Sequence, residues 1–122
     1  MIVFDSGALI GLQKNQGRML LIMNEIMRND WPVIIPATVY AQVWSGDPRQ
    51  HRLGSVLKWA DIADLDLIAA RAVGRLLGET GTRDVVDAHV VVVARGVHAA
   101  KVITSDPGDL LKLDPDLPIT VV

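Results

Sequence analysis

Asp84–Arg95, with the sequence DVVDAHVVVVAR, is an almost uninterrupted apolar run whose conformation sets the class of the fold. Its six valines favour a β-strand by propensity. Its length and the stop at Gly96 favour a buried helix instead, because strands usually span about four to eight residues. We predict a helix over residues 84–95. This segment then connects two strands and does not form a strand itself.

The rest of the chain alternates between strand and helix patterns around this predicted helix. Short apolar runs predict strands at 2–5, 33–35, 62–65, 101–104 and 119–122. Helical spacing or capping signals predict helices at 7–13, 17–29, 38–45, 50–58, 67–78 and 107–113, with Ser6 as the N-cap of the first. This alternation predicts an α/β fold with three layers, α/β/α, and a mostly parallel central sheet in one domain over residues 1–122.

Composition limits the classes of function that this chain can have. Of the 122 residues, half are apolar and 21% are charged, which is typical of a folded domain. The net charge of −2 shows no excess of basic residues of the kind that gives tight, sequence-independent binding to nucleic acid. The absence of cysteine excludes disulfides and thiolate metal sites. We find neither signal-peptide features at the start nor an apolar run of membrane-spanning length, and we therefore expect a cytoplasmic location.

Three aspartates stand at the ends of apolar segments. Asp5 closes the first predicted strand, Asp106 follows the fourth, and Asp87 lies near the start of the predicted helix 84–95, where Asp84 shares its face. The carboxyl ends of parallel strands meet at one sheet edge, so we expect these side chains to converge. Two unit charges about 4 Å apart repel by roughly 4 kcal/mol at an effective dielectric near 20. The pattern therefore predicts a divalent cation with oxygen ligands, Mg²⁺ or Mn²⁺, and phosphodiester chemistry.

Helix capping is the alternative explanation for each of these acids taken singly. Asp84 and Asp106 both precede predicted helices, and Asp87 and Asp109 stand three residues later, where acids complement the helix dipole. A residue that caps a helix can also bind a metal. The joint placement of several acids at one edge favours the metal site.

Four segments of the sequence resemble the PIN-domain ribonucleases, and specifically the VapC-type toxins of type II toxin–antitoxin systems. They are IVFDSGALI (residues 2–10), IPATVYAQV (35–43), DVVDA (84–88) and VITSD (102–106). The resemblance extends over essentially the whole chain, and it implies a PIN-like fold, RNA cleavage dependent on Mg²⁺ or Mn²⁺, a homodimer, and a cognate VapB-type antitoxin as partner.

The resemblance also implies roles for individual residues. Asp5, Asp87 and Asp106 match the first, third and fourth acids, which hold the metal ion in the family. The position of the second acid, usually glutamate, holds Gln42, which can form hydrogen bonds but cannot act as a base. Asp84 is the candidate to restore the missing charge. A plain polar residue at the mouth of a cleft is the alternative for Gln42.

Residues around this set are predicted to support it. Thr104 and Ser105 are expected to orient Asp106 or a metal-bound water, with a simple strand-end turn as the alternative. Asp109 is expected to be a helix-start or supporting acid.

The basic and aromatic residues complete the list of candidates. Arg49, Arg52 and Arg83 are candidates to contact RNA, with solvated surface charge as the alternative. Trp31, Trp44 and Trp59 are expected to be core or interface anchors, and Trp44 together with helix 17–29 is a candidate groove for an antitoxin helix, with core packing as the alternative. The rival function is a PIN-like domain with a weakened site that binds RNA or a partner without cleavage.

Overall fold

The computed structural model describes all 122 residues, in five strands and seven α-helices. The strands are β1 (Ile2–Phe4), β2 (Val33–Pro36), β3 (Asp61–Ala63), β4 (Lys101–Thr104) and β5 (Ile119–Val121). The helices are α1 (Ser6–Gln13), α2 (Gly17–Asn29), α3 (Ala37–Val43), α4 (His51–Trp59), α5 (Leu67–Thr80), α6 (Val85–Gly96) and α7 (Pro107–Leu113), and a 3₁₀ turn covers Pro48–Gln50.

The five strands form one sheet in the order β3-β2-β1-β4-β5. Every neighbouring pair is parallel, with Val3 opposite Ile34 on one side and opposite Val102 on the other. The predicted sheet is confirmed, and it is parallel throughout. From β1 to β3 the successive strands are added on one side of the sheet, and from β4 to β5 they are added on the other. The strand order therefore reverses between β1 and β4.

Helices cover both faces of the sheet. Helix α1 packs with α2, α3 and α4, and helix α6 packs with α5 and α7. Helix α3 also contacts α6. The sheet is consequently buried, and the central residues Val3, Phe4 and Ile103 are at most 1% exposed. This agrees with the three-layer α/β/α prediction, since both faces of a parallel sheet must be covered.

The apolar run at residues 84–95 is helical, as predicted. Asp84 caps α6 by accepting a hydrogen bond from the Asp87 N–H at 2.9 Å. Val90, Val91 and Val93 are buried, whereas Val85 remains exposed. The long crossover from β3 to β4 needs helices to satisfy its backbone polar groups, and this requirement overrides the strand propensity of valine.

Several details differ from the sequence predictions. Asp5, not Ser6, is the N-cap of α1. Helix α3 ends at Val43, because the chain turns extended at Trp44. Of the two roles predicted for the tryptophans, core packing is wrong, since Trp31, Trp44 and Trp59 are 38%, 38% and 43% exposed. The core is built from aliphatic side chains around Phe4, and these fill it without tryptophan.

None of the seven helices combines the length and the apolar character needed to cross a bilayer.

Candidate active site

The reversal of strand order places a crevice at the carboxyl ends of β1 and β4. In open parallel sheets ligands bind at this point, because the chains leaving the two strands pass to opposite faces and separate. Asp5 directly follows β1, and Asp106 follows β4 after Ser105. The topology therefore brings to one edge two acids that lie about a hundred residues apart in sequence.

Asp5 is the buried anchor of this crevice, with only 5% of its surface exposed. Its Oδ1 accepts a hydrogen bond from the Ser6 N–H at 2.7 Å, and its Oδ2 accepts one from the Thr104 hydroxyl at 2.8 Å. Burial raises the pKa of Asp5 above its ordinary value, the two hydrogen bonds oppose this, and the nearby charge of Asp84 adds to it. The carboxylate is thus fixed in position, and its negative charge is poorly compensated.

Asp84 and Asp87 bring two further carboxylates to the crevice from the first turn of α6. The pKa of Asp87 is raised to about 7, chiefly by burial and further by the nearby charges of Asp84, Asp5 and Asp109. No ion pair offsets the effect, since none of the three ion pairs in the protein involves Asp84 or Asp87. Asp5, Asp84 and Asp87 thus form an acidic cluster in which no carboxylate takes part in an ion pair.

Asp106 and Asp109 occupy different positions relative to this cluster. Asp106 is exposed at the N-cap position of α7 without a side-chain capping bond, and its N–H donates to the Thr104 hydroxyl at 3.1 Å. Asp109 lines the same cleft as Asp84 and Asp87. Sequence reasoning gave Asp109 only a supporting part, because the helical turn that carries it into this cleft depends on how α7 packs.

Thr104 links the two strand ends. It is fully buried, donates to Asp5 and accepts from the Asp106 N–H, so one hydroxyl fixes both acidic positions. The sequence predicts that Thr104 orients Asp106 or a metal-bound water, and the observed bonds reach the Asp5 carboxylate and the backbone N–H of Asp106. Ser105 is exposed, and no hydrogen bond from its hydroxyl is observed.

Gly7 is a part of the site that sequence reasoning did not single out. A Cβ atom on Gly7 would lie 2.6 Å from the backbone nitrogen of Ser105 and would also overlap the Ser105 side chain. The close approach of α1 to the β4–α7 turn therefore requires glycine. The only sequence signal was the placement of Gly7 two residues after Asp5.

Gln42 lies in the last turn of α3 and is exposed, with no hydrogen bond to another residue. One turn earlier, the Thr38 hydroxyl lies 2.8 Å from Nδ1 of the completely buried His89 on α6. Burial lowers the pKa of His89, and its Nε2 has no hydrogen-bond partner, although the backbone of Asp64 favours the protonated ring. This contact joins the helix that carries Gln42 to the helix that carries Asp87.

The three candidate RNA-contacting arginines fall in different places. Arg83 lines a cleft of about 190 Å³ together with Asp84, Asp87 and Asp109. Arg49 pairs with Asp47 at 2.7 Å and lines a separate cleft beside the end of α1. Arg52 is exposed on α4. Only Arg83 shares a cleft with the acidic cluster.

Known structures were compared with this fold. No protein-family model and no curated protein matches the sequence. A chain in a toxin–antitoxin complex from Klebsiella pneumoniae has a TM-score of 0.74 at 17% identity, with 99% of this chain and 97% of that chain covered. A chain of VapBC2 from Rickettsia felis, bound to a promoter DNA fragment, has a TM-score of 0.72 at 16% identity, with 100% and 99% covered. A chain of DNA-bound VapBC from Salmonella typhimurium has a TM-score of 0.71 at 18% identity, with 98% and 96% covered.

This chain has the PIN fold of VapC-type toxins. The fold predicted from the four sequence segments is thereby confirmed. At such low identity the likeness establishes the architecture, and the chemistry has to be argued from the side chains of this chain.

The resemblance of the sequence to PIN-domain ribonucleases implies a divalent cation, and the oxygen donors near Asp5 and Asp87 are of the type that binds one. The crevice offers carboxylate oxygens and neither sulfur nor an accessible imidazole, which is the preference of Mg²⁺ and Mn²⁺. No three acidic, histidine or cysteine side chains stand close enough together to hold one ion as they are oriented here. Binding by three of them therefore requires side-chain rotation, which is available to the exposed Asp106.

Proposed function

We propose that this protein is a metal-dependent endoribonuclease that acts in the cytoplasm as the toxin of a toxin–antitoxin pair. The observation that carries this proposal is the cluster formed by Asp5, Asp84 and Asp87, whose carboxylates repel one another and take part in no ion pair. A divalent cation would remove that repulsion. The likeness in fold to chains of toxin–antitoxin complexes supports the second half of the proposal.

Asp5, Asp87 and Asp106 would hold the Mg²⁺ or Mn²⁺ ion, with Asp84 supplying the charge that Gln42 lacks. When bound, such an ion activates water and stabilises the charge that develops on a phosphoryl oxygen. The protein supplies positioning: the Ser6 N–H and the Thr104 hydroxyl fix the two oxygens of Asp5. Gln42, from α3, would donate a hydrogen bond to a phosphate oxygen or accept one from a water.

We also propose a cognate VapB-type antitoxin and a homodimer as the assembly of this protein. The matched structures from Rickettsia felis and Salmonella typhimurium are complexes of a VapBC pair with DNA. Co-expression of the neighbouring open reading frame with a tagged copy of this chain tests the first part, and light scattering of the purified chain tests the second.

A cleavage assay tests the nuclease. We expect a fluorescent single-stranded RNA to be cut in the presence of Mn²⁺, and the Asp5→Asn variant to show cleavage lower by a factor of about a hundred or more, because it removes a fixed charge from the centre of the crevice. Asp61→Asn is the matched control, since Asp61 begins β3 at the opposite edge of the sheet. Identical traces for the wild type and Asp5→Asn would refute the nuclease proposal.

The second candidate function is a domain that binds RNA or a protein partner without cleaving RNA. The exposed Gln42 in place of an acid, and the absence of three converged ligands, favour it. Titration calorimetry with Mg²⁺ and Mn²⁺ separates the two functions. A heat of binding that Asp87→Asn abolishes supports the nuclease, whereas no heat at millimolar metal supports the binding module.

A further inference from the structure

We propose that the cleft between α6 and α7 binds a backbone phosphate of the RNA next to the scissile one, with Lys112 and Arg83 as its cationic ligands. This inference rests on the proposed function, which it extends by assigning a place to the substrate strand. Lys112 lies in the last turn of α7, and Arg83 immediately precedes the cap of α6.

The shape of the cleft supports the assignment. It has a volume of about 190 Å³, room for about six waters at about 30 Å³ each, which accommodates a hydrated phosphodiester group. Six of its seven lining residues are polar or charged. Asp84, Asp87 and Asp109 contribute the acids, while Arg83 and Lys112 contribute the cations. A single cleft therefore joins the acidic cluster to two positive charges.

Both cations are available to a ligand. Arg83 is exposed and takes part in no ion pair. Lys112 has only a loose contact with Asp109, at 3.9 Å between Nζ and Oδ1, and the two side chains are 73% and 58% exposed. Exposed pairs of this kind contribute little, so a phosphate can replace Asp109 as the partner of Lys112 at small cost. By contrast, Arg49 forms an ion pair with Asp47 at 2.7 Å and Arg95 forms one with Asp114 at 2.9 Å, so these two arginines already have a partner.

Electrostatics explains why such a subsite is needed. The protein carries a net charge of −2, and its crevice is acidic, so RNA gains nothing from the overall field and is repelled close to Asp84 and Asp87. Local cations beside the acids hold the phosphates on either side of the reacting one, since phosphate contacts position a nucleic acid without reading its sequence. Arg83 and Lys112 are the cations that share a cleft with the acidic cluster.

The test measures binding of a fluorescent single-stranded RNA by anisotropy in Mg²⁺, as a function of salt concentration. Removal of one phosphate contact lowers the slope of log Kd against log salt by about 0.7 for a single strand, and we expect this for Lys112→Ala and for Arg83→Ala. Lys112→Arg should retain the wild-type slope, because it keeps the charge. Lys58→Ala, on the exposed last turn of α4 three residues before β3, is the matched control.

The outcomes separate this inference from the proposed function. A lowered slope for Lys112→Ala and Arg83→Ala, together with an unchanged slope for Lys58→Ala, supports the subsite. This holds even if the wild type cuts no RNA, because that result contradicts only the nuclease proposal. Equal slopes for Lys112→Ala, Lys58→Ala and the wild type overturn the subsite, even if the wild type cuts RNA. A Lys112→Ala variant that loses thermal stability but keeps the wild-type slope would show that Lys112 serves only the Asp109 pair, and this also overturns the subsite.

Discussion

Replacing Asp87 with asparagine should stabilise the metal-free protein, and increasingly so as pH rises. Asp87 has a pKa of about 7 in the folded protein, against an ordinary value of 3.8, so the folded state holds its proton more tightly than the unfolded chain. The wild type therefore loses free energy of unfolding as pH rises from about 4 to about 7, and it remains destabilised above that range. Asparagine has nearly the same shape as aspartate but does not ionise.

The magnitude follows from the same pKa. At about 1.4 kcal/mol per pH unit, the difference between 3.8 and about 7 corresponds to at most about 4.5 kcal/mol. Asp87 is only partly buried, and water screens part of the repulsion, so we expect Asp87→Asn to gain about 1–2 kcal/mol at pH 8. For a domain of this size the melting temperature then rises by about 4–8 °C.

The assay is thermal unfolding of wild type, Asp87→Asn and the control Asp61→Asn between pH 4 and pH 8, in a buffer with a chelator. We expect the gap between Asp87→Asn and the wild type to vanish near pH 4 and to widen toward pH 8, with Asp61→Asn following the wild type throughout. A gap independent of pH, or an Asp87→Asn protein less stable than the wild type at pH 8, would refute the view that unrelieved repulsion marks this site. Added Mn²⁺ should raise the melting temperature of the wild type more than that of Asp87→Asn, because a bound ligand stabilises only the state that binds it.

Three further variants test the surroundings of the cluster. Gly7→Ala should lower the free energy of unfolding by about 1–3 kcal/mol, because the added methyl group overlaps the β4–α7 turn. Gly74→Ala, at a helical position with no neighbour within 4 Å, should raise the free energy of unfolding by about 0.5–1 kcal/mol. Chemical denaturation measures both changes. Gln42→Glu should lower the Kd for Mn²⁺ by about tenfold in titration calorimetry, because it adds a charged oxygen ligand, and an unchanged Kd would place Gln42 outside the metal's reach. Thr38→Val should cost about 1–3 kcal/mol of unfolding free energy by leaving Nδ1 of the buried His89 unpaired, and Thr38→Ser should restore most of that loss.

Local patterns predicted most of the fold because each element carries its own signals. Strand β1, which ends at Phe4 just before Asp5, and strand β4, which ends at Thr104, are short apolar runs followed by polar residues, and helix α7 begins at a proline, so their type is set within a few residues. The run at residues 84–95 needed one further argument, because valine propensity and segment length pointed in opposite directions. Length prevailed, since the crossover between parallel strands has to satisfy its own backbone polar groups.

The tryptophans show what such patterns leave open. Large aromatic residues are buried on average, but the core of this protein is filled by aliphatic side chains, and Trp31, Trp44 and Trp59 remain on the surface. Whether a given side chain fits the interior depends on the volume left by residues distant in sequence, and no local pattern encodes that volume.

The sequence by itself indicated which carboxylates lie at the carboxyl edge of the sheet, because the ends of neighbouring parallel strands share that edge. It also identified Gln42 as the departure from the family pattern. Only the tertiary structure decided how these groups are arranged. It fixed Asp5 through Thr104, brought Asp109 beside Asp87, joined α3 to α6 through His89, and placed Lys112 in the acidic cleft. These are contacts between elements far apart along the chain, and their geometry depends on helix packing that local sequence does not specify.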